Sequence, residues 1–449
     1  MWVEKITLEN IKCFENTSIR CGTGKAPHKW VTLLGENGGG KSTVLQSMGL
    51  LLAGPEGALQ LTGNRRLEGW LKDESEKGKM SLRIHKDDAD PGDFGVERKR
   101  NAFGYTFFVT GRKPLKIRNK QYSEPGVVEN SDKILTWLRR HALLSKGKGW
   151  FAAGYGPFRR LSQKPGQRVV PSLLNPDRYS NFLTQFDEGE PLSRFEQWMV
   201  LLDYQIAKNS ESGKLAQQQR DMGTEAINRL LPEDSSFEEV DENGMIWFKV
   251  GGNRVPTQNL SDGFRSVLAL AGDLIWRMLE AYPNSSEPLK EPGVVLIDEL
   301  DIHLHPIWQR EIPGILREVF PNIQFIVATH SPLIAAGAGK DAVTYRIRQE
   351  GGEISVDEID NIAFKSVDDI LQSDAFGLVS PYSPEAEKTM QSYLKLKNKK
   401  RQSASEVKKM KEIAPRAKEM LGRQKGLFDD EETKLREEII EHLKKSYAR

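Results

Sequence analysis

A chain of 449 residues with 38% apolar and 29% charged content, balanced to a net charge of +2, has a globular composition, not a disordered or membrane one. That balance supplies no general pull toward nucleic acid, so any such contact needs a local patch. Cys13 and Cys21 lack metal-ligand spacing, no secretory apolar segment follows Met1-Trp2-Val3-Glu4-Lys5, and no apolar run approaches the roughly 20 residues of a membrane span. A cytoplasmic protein without a membrane partner is expected.

Residues 1–53 read as strand, strand, loop and helix. Ile6, Leu8 and Ile11 stand among polar neighbours, and Trp30-Val31-Thr32-Leu33-Leu34 is a short buried-type run. A glycine loop follows at once, then a helix over 42–53 with Val44, Leu45 and Met48 on one face. Residues 54–150 are polar and insertion-like, with a strand at Tyr105–Val109 and loops around Asp87–Gly95 and Tyr122–Asn130. A short strand over 150–154, helices over 190–232 and a hairpin over 236–256, reversing at Asn243-Gly244, complete this region. From 258 the α/β pattern returns: helix 261–280, strand 294–297, helix 306–319, strands 323–328 and 342–347, fitting a parallel sheet. Residues 395–425 then hold twelve Lys/Arg against three Glu, and 429–441 seven Asp/Glu against two Lys/Arg.

Gly35-Glu36-Asn37-Gly38-Gly39-Gly40-Lys41-Ser42 matches G-x-x-x-x-G-K-S, between a strand and a helix as a phosphate loop requires. Gly38, Gly39 and Gly40 let successive N–H groups face an anion, and the helix dipole points the same way. With Gly35, Asn37 and Thr43 they form the expected nucleotide cradle; Lys41 would reach the β- and γ-phosphates and Ser42 would ligate Mg²⁺. Asp298, ending the apolar run from Val294, is the second Mg²⁺ candidate, and Glu299 the residue that would place and deprotonate the attacking water. His330 follows a second apolar run and could contact the γ-phosphate. Ser261 and the Gly263 N–H open a helix, both as an N-cap and as an anion site. His303 and His305 admit a metal-pair reading, although their place in a loop after Asp301 explains them without one.

Together, Gly35–Ser42, Leu260-Ser261-Asp262-Gly263-Phe264, Asp298-Glu299 and His330, in that order, resemble the nucleotide-binding heads of ABC-type ATPases. Glu9-Asn10-Ile11-Lys12-Cys13-Phe14 is similar to the N-terminal strand and adenine-side loop of RecF- and Rad50-like members. Asp298-Glu299-Leu300-Asp301-Ile302-His303-Leu304-His305-Pro306 resembles the form found in RecF-like and OLD-like heads, not that of transporter ATPases. Tyr155-Gly156-Pro157-Phe158-Arg159 and segments of 367–378 are similar to the PtuA ATPases of Septu and retron-linked Septu-like defence systems, with the PARIS ATPases a second match.

The resemblance implies an α/β fold: an ABC-ATPase head over 1–347, including an antiparallel and helical insertion lobe at 54–256, then a mostly helical charged region over 348–449. It implies ATP and Mg²⁺ as ligands, Glu299 and His330 as catalytic groups, and Lys12 on the adenine side. A homodimer or higher homo-oligomer would bring Ser261 and Gly263 of one copy onto the ATP of the other, with Asp301 along the seam. Gln163 and Gln185 are candidates for the glutamine that links the lobes of such heads. No clustered acidic triad for a nuclease follows His330, so nuclease activity is expected from a partner, in Septu the HNH nuclease PtuB. The function implied is an ATP-dependent sensor and scaffold in anti-phage defence. The alternative is a RecF-like DNA-binding ATPase of repair or replication, for which the basic stretch 395–425 is the candidate nucleic-acid surface.

Overall fold

Alternation along short apolar strands decides the architecture. In Gly293–Ile297 every residue is buried, with Val294 and Leu296 in one core and Val295 and Ile297 in the other. Both faces are therefore covered, as a parallel strand requires. The computed structural model describes residues 1–63, 67–72, 75–90, 101–113, 115–117, 120–122, 124–130, 132–145, 149–159, 161, 177–189, 192, 194–208, 211–360, 362–373, 375–376, 382–399 and 401–425.

Among these residues the central sheet has six strands, in the order Ala152–Tyr155, Gly293–Ile297, Ile323–Ala328, Trp30–Gly35, Val343–Glu350 and Glu353–Ile359. The first five run parallel and the last returns antiparallel. One face packs on helix Lys41–Thr62 and a five-stranded antiparallel sheet; the other packs on helices Arg194–Ala207, Glu211–Leu230, Asp262–Ala281 and Pro306–Val319. The antiparallel sheet runs Gly126–Glu129, Ala102–Thr110, Lys77–His85, Trp2–Ile11, Phe14–Arg20. A buried amide joins the two sheets: Gln324 Oε1 accepts from Val3 N at 2.7 Å and Nε2 donates to the Cys21 carbonyl at 2.6 Å. The hairpin expected over 236–256 carries a third strand, Asn253–Pro256, beside Ser235–Val240 and Ile246–Val250.

One expectation is corrected. The loop placed at Tyr122–Asn130 contains strand Gly126–Glu129, which pairs with Ala102–Thr110 and turns Val127 into the core. Strands of the insertion extend the N-terminal pair in one antiparallel sheet. One compact unit runs from Met1 through Gly377. Glu353–Ile359 pairs with Val343–Glu350, and Ile362, Ile370 and Ala375 pack with Leu34 and Ala335. Glu353–Ile359 is an edge strand whose exposed charges hide its β character in the sequence.

The second unit, Leu378–Arg449, is described through two helices, Pro384–Lys397 and Ala404–Lys425. Ser383 caps the first, and Lys399 pairs with Glu406 at 2.6 Å where the second begins. Lys395, Lys397, Lys399, Arg401, Lys408, Lys409 and Lys411 are exposed. Gly377 and Leu378, Lys400 and the acidic run 429–441 lie outside the described residues.

Candidate nucleotide site

The carboxyl ends of the parallel strands all open on one edge of the sheet, where ligands of open α/β sheets bind. Trp30–Gly35 runs into the glycine loop, Gly293–Ile297 into Asp298, Ile323–Ala328 into Thr329 and His330, and Ala152–Tyr155 into Gly156. Backbone ties hold these ends together: Thr329 N donates to the Leu33 carbonyl at 3.1 Å and Asp298 N to the Tyr155 carbonyl at 2.9 Å.

Gly40 is the N-cap of helix Lys41–Thr62 and has a φ of 97°. A Cβ there would meet the Phe14 ring at 2.6 Å and Cys13 Sγ at 2.7 Å, so only glycine fits. Asn37 and Gly38 are exposed, while Gly39, Lys41 and Thr43 are buried. The Lys41 ammonium donates to the carbonyls of Gly35 at 2.9 Å and Glu36 at 3.0 Å. An ammonium has three donors, so one remains for an anion. Burial lowers its pKa from the ordinary lysine value, against the pull of Asp298, Glu299 and Asp301.

Asp298 is 5% exposed. Burial raises its pKa, and the Ser42 hydroxyl, which donates to its carboxylate, opposes the rise. Its Oδ1 is buried without a hydrogen-bond partner among the described residues. A buried carboxylate oxygen left open beside a hydroxyl and a lysine matches the donor set of a Mg²⁺ site at a phosphate. Glu299 follows in the left-handed region, φ 48°. Both peptide carbonyls of this pair are held by Arg159, whose Nη1 donates to Asp298 O at 2.7 Å and Nη2 to Glu299 O at 2.8 Å.

The loop after Glu299 folds back on the strand beside it. Asp301 Oδ1 accepts from the Thr329 hydroxyl and from His330 N. Burial, and then Lys41, lower the His330 pKa below the ordinary imidazole value. Gln309, in the first turns of Pro306–Val319, closes this arrangement. Its Nε2 donates to Leu304 O at 2.9 Å and Asp301 O at 3.2 Å, and its Oε1 accepts from Ser331 Oγ at 2.6 Å. His305 caps the same helix, its Nδ1 accepting from Ile307 N at 3.4 Å.

Lys41, Ser42, Asp298, Glu299, Asp301 and His330 are thus brought together. Lys12 lies off this cluster, 4.5 Å over the Trp70 ring and near Gln46. Ser261 is exposed and caps helix Asp262–Ala281, its Oγ accepting from Phe264 N at 3.4 Å. Gly263 is buried against the loop after Glu299, where a Cβ would meet His303 O at 2.3 Å. Gln163 lies outside the described residues. Gln185 is buried between Gly49 and Gly154, and neither of its side-chain amide atoms has a partner among the described residues.

Sequence reasoning assigned no role to Arg159 or Gln309, and neither carries a local signal for one. The buried network of Tyr155, Asp273 and Arg277 was also missed. Tyr155 Oη donates to Asp273 Oδ2 at 2.9 Å and Arg277 Nε to the same oxygen at 2.5 Å, tying helix Asp262–Ala281 to the central sheet. Two charges four residues apart on an otherwise apolar helix face were its signal.

Residues 31–336 match a family model described as an AAA domain, putative AbiEii toxin, Type IV TA system. The chain belongs to this family. Its relatives include the Septu protein PtuA of Bacillus mycoides (strain KBAB4), 25% identical over 379 residues, covering 84% of this chain and 45% of PtuA. The Retron Vc95 probable ATPase of Vibrio cholerae serotype O1 biovar El Tor is 47% identical over 83 residues, 18% of this chain and 16% of that one. The chain therefore spans less than half the length of these curated relatives. A solved SMC head bound to the C-winged helix domain of ScpA overlays with a TM-score of 0.49 at 16% identity, covering 80% of this chain and 98% of that one. Among the described residues no helix is long and apolar enough to cross a membrane.

Proposed function

We propose that this member of the AAA-domain family binds and hydrolyses ATP, and that two copies close on each other through shared ATP sites. The observation that carries the reading is the cluster of Lys41, Ser42 and Asp298, with the unpartnered Asp298 Oδ1 and with Glu299 beside it. The loop N–H groups and Lys41 would hold the phosphates. Ser42 and Asp298 would hold Mg²⁺, which supplies charge neutralisation on the phosphate oxygens. Glu299 would orient the attacking water and accept its proton; His330 would contact the γ-phosphate. Lys12, on its Trp70 platform, would lie at the adenine side.

Ser261 and Gly263 would complete the site on a second copy. Their support is the exposure of Ser261 and Asp262 at a helix N-terminus that offers an anion site to solvent. The likeness to Septu and retron ATPases favours a role in anti-phage defence, in which the nucleotide state holds or releases a separate nuclease of HNH type.

The test is recovery of tagged Glu299→Gln protein from its native host, with size measurement, mass spectrometry and nuclease assay of what accompanies it. The variant should retain ATP, lose hydrolysis and bring down a stoichiometric nuclease as a stable dimer. Normal hydrolysis by Glu299→Gln would remove Glu299 as the base, and a monomer under every nucleotide condition would remove the shared site. Recovery of DNA and replication proteins instead would favour the RecF-like reading, whose support is the row of exposed lysines on helices Pro384–Lys397 and Ala404–Lys425.

A further inference from the structure

We infer that Arg159 is the positioning residue that sets Glu299 for catalysis, by gripping the two main-chain carbonyls on either side of it in the chain turn. The assignment rests on the reading of Glu299 as the group that activates water.

Four observations converge on it. Arg159 is 5% exposed, and its hydrogen bonds go to backbone carbonyls: Asp298 at 2.7 Å, Glu299 at 2.8 Å and Gly156 at 3.0 Å. Glu299 has a φ of 48°, a conformation that L side chains rarely adopt and that surrounding contacts must hold. Arg159 meets the carbonyls of this turn at two consecutive residues with two nitrogens of one rigid plane, so it fixes direction as well as position. Lastly, it bridges two strand ends: Gly156 follows Ala152–Tyr155, Asp298 follows Gly293–Ile297, and Tyr155 pairs with Ile297.

A buried guanidinium is an expensive way to hold three carbonyls if packing alone is needed. Here its charge lies beside Asp298, Asp301 and Glu299, all of which interact with it electrostatically. Burial brings the Arg159 pKa down to about 10, so the guanidinium remains charged at neutral pH. Lysine could keep the charge in this place but not the planar fork.

The experiment measures ATP hydrolysis by the full chain as wild type, Arg159→Lys, Arg159→Met, Glu299→Gln and the double variant Arg159→Lys with Glu299→Gln. A fluorescent ATP analogue reports binding and thermal melting reports folding. Arg159→Lys is expected to lower kcat by about 10- to 100-fold, the usual cost of losing an outer residue that orients a reacting group. KM and analogue affinity should stay within about threefold, because ground-state binding is untouched. Arg159→Met should lose more. In the Glu299→Gln background, Arg159→Lys should change the residual rate by less than about twofold, since both substitutions remove one function.

Wild-type kcat in Arg159→Lys, or the same fractional loss in both backgrounds, would overturn the assignment. So would an unfolded Arg159→Lys, which would make the arginine a folding element. Equal hydrolysis by wild type and Glu299→Gln would instead overturn the reading of Glu299 itself, and the two failures are told apart by that single pair of rates.

Discussion

The two helix starts proposed to meet phosphate differ in how much of their surroundings they own. At Lys41–Thr62 the lysine, Ser42, Asp298 and the glycine loop bond to one another inside the chain and leave Asp298 Oδ1 without a partner among the described residues, and Lys41 and Asp298 are each 5% exposed. At Asp262–Ala281 the cap residue Ser261 and its neighbour Asp262 face solvent; the latter makes only a loose 3.8 Å pair with Arg265. The body of that second helix is firmly packed, with Phe264 against Phe248 and Trp308 and with Asp273 and Arg277 buried beneath. A packed helix with an exposed, serine-capped start suits the proposed meeting with another molecule, whereas the first start suits the ligand proposed to be held within the chain.

The largest effect that can break this contrast is at the first start. Lys41→Ala should weaken ATP binding by about 100-fold or more, read by titration calorimetry, because a charge-assisted contact in a buried site is lost. Ser261→Arg should leave ATP binding by single chains intact and lower hydrolysis by about 100-fold, because the second start would no longer approach a partner's phosphate. Mixing it with Lys41→Ala should restore about a quarter of the wild-type rate, since half the dimers are mixed and each holds one intact site. No restoration would mean that each chain works alone.

The smallest effect concerns Glu196, beside Arg265 just inside the second start. Burial raises its pKa from the ordinary 4.5 to about 7, while Arg265 opposes the rise. The folded chain therefore binds a proton that the unfolded chain releases between these values. Glu196 contributes stability that is fully present below pH 4.5 and is lost as pH rises through about 7. Glu196→Gln should raise the melting temperature at pH 8 by about 1–3 °C and leave it unchanged near pH 4. A variant with the wild-type pH profile would show that Glu196 is solvated and the second start looser than its packing implies.

Much of the site is legible because its signals are local. The loop Gly35–Ser42 lies between a strand and a helix, so its spacing is its geometry; the helix starts at Ser261, Pro306 and Ser331-Pro332 are written in cap residues. The central strands Gly293–Ile297 and Ile323–Ala328 are short and almost wholly apolar, and they lie close to where the periodicity placed them. Glu353–Ile359 was hidden by the charges an edge strand carries, whereas the first helix breaks at the non-helical Gly54, where it was expected to end, before helix resumes through Thr62.

Sequence alone determined the phosphate loop, the acid pair Asp298-Glu299, the α/β alternation and the caps, since each depends on residues within one or two turns of one another. Tertiary structure decided which strand lies beside which, that the N-terminal strands and the insertion share a sheet, and that Arg159 reaches a carbonyl 139 positions away at Asp298. It also decided that Gln309 closes the loop at Asp301 onto Ser331. Such contacts carry no local pattern because a buried donor needs only an acceptor in reach, and which acceptor comes into reach is settled when the two cores pack on either face of the sheet.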